Sequence, residues 1–152
     1  MKTFLKKKSI PFEGDNIEIT QLSGLERFDF LDYCSDLEKP TQPKQPAEDA
    51  TEQEFEQYYE AMEKCLKKWS RVNFIGQSRL VAYGYQISDI ELEERHQMVM
   101  SSMTPELVKL LHDEIAVFSG IPLPKEAEET SEPDHADAEQ SEEQLEPVDP
   151  KG

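Results

Sequence analysis

The feature that most constrains this chain is its last quarter. From Lys125 to Gly152 it carries eleven Asp/Glu against two Lys and has no aromatic residue. Such a stretch has too little apolar surface to offset the roughly 1–2 kcal/mol per residue that ordering a backbone costs, so it is expected to be disordered. Folding is thereby confined to the first 124 residues, which hold every aromatic residue and both cysteines, enough for about one small domain. Of the formal charge of −17, the tail carries −9 and residues 1–124 carry −8. An acidic domain with an acidic tail lacks the basic face that phosphate neutralisation needs, which argues against nucleic-acid binding.

No stretch approaches the roughly 18 apolar residues of a membrane span. The opening Met1-Lys-Thr-Phe-Leu-Lys-Lys-Lys lacks the continuous apolar core of a secretion signal, so a cytosolic protein with no membrane partner is expected. Cys34 and Cys65 have no CxxC and no His at ligand spacing, and they read as buried free thiols.

Proline draws the domain map. Eight of the ten prolines lie in Pro40–Pro46 or after Gly120, where they would break any helix passing through. Residues 1–38 are expected to form a β-hairpin and a first helix, residues 39–50 a Pro-rich loop, residues 51–120 a helical block packing with 1–38 as one domain, and residues 121–152 the disordered acidic Pro/Glu-rich tail. The fold class is mainly α, a hairpin followed by four or five helices.

Within that map, Ile10 and Phe12 alternate with polar neighbours, as do Ile17 and Ile19, with Glu13-Gly14-Asp15-Asn16 supplying the turn. Ser23-Gly24-Leu25-Glu26 has the capping-box spacing for a helix over 24–37 that turns Leu25, Phe28, Leu31 and Tyr33 inward. Thr51-Glu52-Gln53-Glu54 repeats it, and Phe55, Tyr58, Tyr59, Met62, Leu66 and Trp69 follow along one helical face, with Trp69 expected in the core. The opposite face runs acids first and bases last, an order that complements the helix dipole. From Ser70 to Ile87 the pattern is apolar on several sides, and Gly76 and Gly84 would permit close approach of a neighbour. Ser88-Asp89-Ile90-Glu91 offers a third capping box, for a helix using Leu92, Val99 and Met103. Thr104-Pro105 opens a last helix with a stripe of Leu107, Leu110, Leu111, Ile115 and Phe118, and Gly120 closes it.

No catalytic, cofactor-binding or metal site emerges. His96 and His112 have carboxylates nearby but no second His at i+4, and both read as exposed or half-buried histidines. Phe74-Ile-Gly-Gln-Ser-Arg79 has too few glycines to wrap a phosphate. Met98, Met100 and Met103 read as core filler. What remains is a binding or assembly protein.

The order of these features resembles a family, the minor tail assembly protein G family, tail assembly chaperones of lambda-like long-tailed bacteriophages. The resemblance runs through Phe4-Leu5-Lys6, Phe12-Glu13, the Ile17/Ile19 strand and Leu22-Ser23-Gly24-Leu25-Glu26-Arg27. It continues through Arg79-Leu80-Val81-Ala82-Tyr83, Thr104-Pro105-Glu106-Leu107 and Phe118-Ser119-Gly120-Ile121-Pro122 to the acidic tail. The chain departs from the family in having Gly84-Tyr85-Gln86-Ile87 where a Trp and a His often follow the central helix. The resemblance implies a non-enzymatic chaperone in the host cytoplasm, absent from the mature virion, that binds the tape measure protein during tail tube assembly.

It also implies a longer −1 frameshift fusion that recruits the major tail protein, and codons for Pro150-Lys151 can be written as a slippery heptamer. Phe74, Leu80, Val81 and Tyr85 are the candidate partner-binding residues, with core positions as the equal alternative, and self-association is left open. The alternative is an acidic charge mimic of DNA directed against a basic host protein.

Overall fold

Glu13 and Gly14 take positive φ values of 49° and 84°, as a two-residue turn between strands of right-handed twist requires. They join β1 (Lys7–Phe12) to β2 (Asp15–Thr20) in an antiparallel hairpin with Ile10 opposite Ile17 and Lys8 opposite Ile19. Ile10 and Ile19 share its buried face. The structure, a computed structural model, describes residues 3–87 and 89–123. The folded unit reaches Ile121, and the acidic segment from residue 124 lies outside the described residues.

Among the described residues the hairpin is followed by four helices. The first, α1 (Gly24–Asp36), opens with the expected capping box: Glu26 N donates to Ser23 Oγ at 3.1 Å and Ser23 N donates to Glu26 Oε1 at 2.9 Å. Thr51 and Glu54 make the same reciprocal pair at the start of α2 (Glu52–Gly84). Between Trp69 and Ser70 there is no proline and no cap, so the two helical blocks expected on either side run on as one helix of 33 residues, about 50 Å long.

The third capping box does not open α3 (Leu92–Ser102). Asp89 has a left-handed φ of 69°, which no α-helical residue adopts, and the helix starts only after Glu91, whose side chain makes no capping bond. Ser88 lies outside the described residues. Arg95 on α3 donates to the carbonyls of Ala82 and Ile90, satisfying an orphan carbonyl in the last turn of α2 and tying it to the loop. The last helix, α4 (Pro105–Ser119), begins as expected with Thr104 as cap and Pro105 in its first turn. It ends at Gly120, whose φ of 79° lets Ile121 N reach Ala116 O at 2.7 Å.

The core gathers around the second half of α2. Leu80, Val81 and Ala82 meet Val99 of α3 and Val108, Leu111, Ile115 and Ala116 of α4, all with no exposed surface. Of the stripe expected on α4, Leu111 and Ile115 are buried, whereas Leu107, Leu110 and Phe118 are half-buried. The helices approach closely at Gly84, where an added Cβ would lie 2.7–2.9 Å from Ile115 side-chain carbons. The hairpin docks on α4 through a Lys8–Glu114 ion pair of 3.2 Å. Beside it, Leu22 N donates to Ser119 Oγ and Gln21 Nε2 to Phe118 O.

The α1 face departs from expectation. Leu25, Phe28 and Leu31 are 72%, 69% and 50% exposed, and Phe30 is the buried residue, with Tyr33 and Cys34 half-buried. The helix is held to its neighbours along the Phe30–Tyr33–Cys34 line, which turns the predicted inward face to solvent.

Candidate partner-binding surface

The two halves of α2 have opposite surroundings. From Gly76 onward nearly every residue is buried, while along residues 52–69 only Cys65 is. Tyr59 and Leu66 are 62% and 60% exposed, and Phe55, Tyr58, Met62 and Trp69 are half-buried. The stripe read in the sequence as a core face is therefore a surface, and Trp69 is not a core residue. Its aromatic rings touch one another, with Phe55–Tyr59 and Tyr58–Tyr59 centroids 6.3 and 5.5 Å apart.

One flank of this half-helix is covered. The Pro-rich segment runs beside it and leaves a groove of about 890 Å³ lined by Pro40, Pro43, Ala61, Cys65 and Val72. Cys65 Sγ lies 3.7 Å from Thr41 O, so this thiol is buried, while Cys34 is half-buried; both are free. The stripe itself is half-buried to exposed, with Tyr59 and Leu66 its most open residues.

Farther along α2, in its buried half, a polar cluster gathers around Arg79. The Arg79 guanidinium lies 4.2 Å from the Tyr33 ring centroid and pairs with Glu93 at 2.8 Å, linking α1, α2 and α3. Burial works against its charge, but the Glu93 hydrogen bond and charge prevail and hold its pKa above the ordinary value. Arg79 Nη1 is 3.3 Å from His96 Nδ1, and His96 Nε2 is 3.1 Å from the Ile75 carbonyl. Since arginine only donates and a carbonyl only accepts, His96 is the neutral tautomer with its proton on Nε2. Burial, with Arg79 beside it, holds the His96 pKa below its ordinary value, although the Ile75 carbonyl and Glu93 act the other way. His96 and His112 are 2% and 9% exposed, so the exposed or half-buried reading of both was too open.

The four residues named from the sequence do not converge. Leu80 and Val81 have no exposed surface and form the core beneath. Phe74 is half-buried in a recess of about 560 Å³ between α2 and α4, with Ser70, Asn73, Gln77, Pro105 and Leu110. Tyr85 lines a separate recess with Lys7, Glu18, Ile90 and Arg95. The α2 stripe escaped that choice because periodicity marks a face that something covers, without saying whether the cover is this chain.

Among the described residues no group of three or more His, Cys, Asp or Glu is placed to hold a metal ion, and no helix is long and apolar enough to cross a membrane. No curated protein and no solved structure matches the chain. A family model described as the bacteriophage lambda tail assembly chaperone, TAC, protein G, matches residues 3–140. With that match spanning the hairpin and all four helices, the chain belongs to the protein G family of bacteriophage lambda tail assembly chaperones.

Proposed function

We propose that this tail assembly chaperone binds the tape measure protein in the host cytoplasm while tail subunits polymerise, and leaves before the virion is complete. The observation that carries the reading is the half-buried to exposed apolar stripe of α2, from Phe55 to Trp69, with the Phe74 recess one turn beyond it. A tape measure segment without its tube presents apolar helical stripes of its own, and helix-in-groove packing buries both. Of the four residues named from the sequence, Phe74 makes contact, Leu80 and Val81 support it from beneath, and Tyr85 belongs to a second recess. The net charge of −17 keeps the covered assembly soluble by mutual repulsion. A longer frameshift product would add a domain for the major tail protein, with the acidic segment as a linker that raises effective concentration. A gene without a slippery run in the codons for its last residues would remove that fusion.

The test is co-expression of the tagged full chain with the tape measure protein of the same genome, followed by affinity purification at about 0.5 M salt, where surface charge is screened. Recovery of a soluble complex by the natural chain, and its loss with Phe74→Glu, is the expected result. No complex, with a tape measure protein that is soluble alone, overturns the reading in favour of an acidic DNA mimic directed against a basic host protein.

A further inference from the structure

We propose that in the free protein the α2 stripe is covered by the same stripe of a second copy, running antiparallel. This goes beyond tape measure binding and uses part of the same surface, so the two compete. Phe55, Tyr59, Met62, Leu66 and Trp69 are separated by 4, 3, 4 and 3 residues, the seam of a two-stranded coiled coil rather than the wider stripe of a core helix. Tyr59 and Leu66 on that seam are mostly exposed, and the Pro-rich segment packs beside it without crossing it.

Charge selects the occupant and its direction. Residues 52–63 hold Glu52, Glu54, Glu56, Glu60 and Glu63 and no base, while residues 64–71 hold Lys64, Lys67, Lys68 and Arg71 and no acid. A parallel copy sets acids beside acids. An antiparallel copy sets the acidic stretch of each helix along the basic stretch of the other and opposes the two helix dipoles. The seam then closes on itself, Tyr59 against the second copy's Trp69 and Met62 against its Leu66, in an isologous pair with a two-fold axis near residue 64. About this axis residues 59–69 of one helix lie along residues 59–69 of the other, about 15 Å of contact, the scale of a weak, exchangeable interface that a tape measure helix can displace.

Sedimentation of the full chain tests this. The expected result is a monomer–dimer equilibrium in the micromolar range, with Leu66→Glu or Tyr59→Glu raising the dissociation constant at least about 100-fold while helical content is unchanged. A chain that stays monomeric at about 100 µM, or a dimer indifferent to both substitutions, overturns the proposal. Direction is read with a photo-crosslinking benzoylphenylalanine at position 59. Dimer-band crosslinks mapping to residues 66–73 support antiparallel pairing, and crosslinks to residues 55–62 refute it. Tape measure binding is measured separately, so either idea can fail alone.

Discussion

Residues 52–69 and 70–84 belong to one unbroken helix, yet they solve opposite problems. The first stretch has the cleaner amphipathic pattern, and its apolar side is only half-buried, with Leu66 60% exposed. The second is apolar on several sides and is the centre of the fold, with Leu80, Val81 and Ala82 fully buried between α3 and α4. A one-sided stripe needs only one neighbour, and that neighbour can be another molecule. A helix apolar all round needs several, and only its own chain supplies them during folding.

The largest expected effect separates these halves by deletion of the same side chain. Leu80→Ala should cost about 2–5 kcal/mol through lost burial and a residual cavity, read as a lower urea midpoint with unchanged slope. Leu66→Ala, in dilute monomer, should stay within about 0.5 kcal/mol. A large loss for Leu66→Ala under those conditions would mean that the stripe is internal to the monomer.

Sequence reasoning reached the elements better than their surroundings. Both capping boxes at Ser23 and Thr51, the Glu13-Gly14 turn and the Thr104–Gly120 bounds of α4 were legible because they are local chemistry, each fixed by residues within four positions. Ser88–Glu91 had the same spacing and failed. The left-handed Asp89 belongs to the loop that hands the chain from α2 to α3, and Arg95, bonded to both sides of that loop, is a tertiary contact no local pattern encodes. The surface residues failed for a related reason. Leu25, Phe28 and Leu31 are spaced as convincingly as Phe30, Tyr33 and Leu37, and the line that faces α2 is marked by tertiary contacts, Gly76 opposite Cys34 and Leu37 and Arg79 over the Tyr33 ring.

Gly84→Ala should be next in size, and it probes why the second half is core. The new methyl group would meet Ile115 carbons at 2.7–2.9 Å, and Ile115 has no exposed surface into which to retreat. Overpacking of this kind costs about 1–3 kcal/mol, and thermal unfolding should show it. Pairing it with Ile115→Val should recover part of the loss, since the smaller side chain vacates one of the clashing positions.

The polar cluster around Arg79, in the buried half of α2, gives a smaller, pH-dependent difference. His96 is buried as the neutral form, and its pKa in the fold lies below the 6.5 it regains on unfolding. Between those two values the unfolded chain binds a proton that the fold refuses. Stability is therefore complete above about pH 6.5 and declines as pH falls towards the folded-state value, at no more than about 1.4 kcal/mol per pH unit for one histidine. His112, also held low by burial, adds the same sign, against the opposing pull of Asp113. Acidification also relieves repulsion in a chain of charge −17, so the informative quantity is the natural chain minus His96→Gln. The glutamine amide can keep a donor and an acceptor but has no proton to take up. The difference in stability should shrink as pH falls from about 7.5 to 5.5, and a constant difference would show that His96 does not titrate in this range.

The smallest effect has the opposite sign. At Gly76 an added Cβ would lie 3.7 Å from Cys34 Sγ and 3.8 Å from Leu37 Cδ1, ordinary contact distances, with helical backbone already in place. Gly76→Ala should therefore gain up to about 1 kcal/mol of helix propensity and raise the unfolding midpoint, where Gly84→Ala lowers it. Two glycines eight residues apart in one helix would then report two kinds of neighbour, a full contact at Gly84 and a looser seat for α1 at Gly76. A loss at Gly76 as large as at Gly84 would instead place α1 as tightly on α2 as α4 is, and the exposed face of Leu25, Phe28 and Leu31 would belong to a helix that cannot shift when a partner binds.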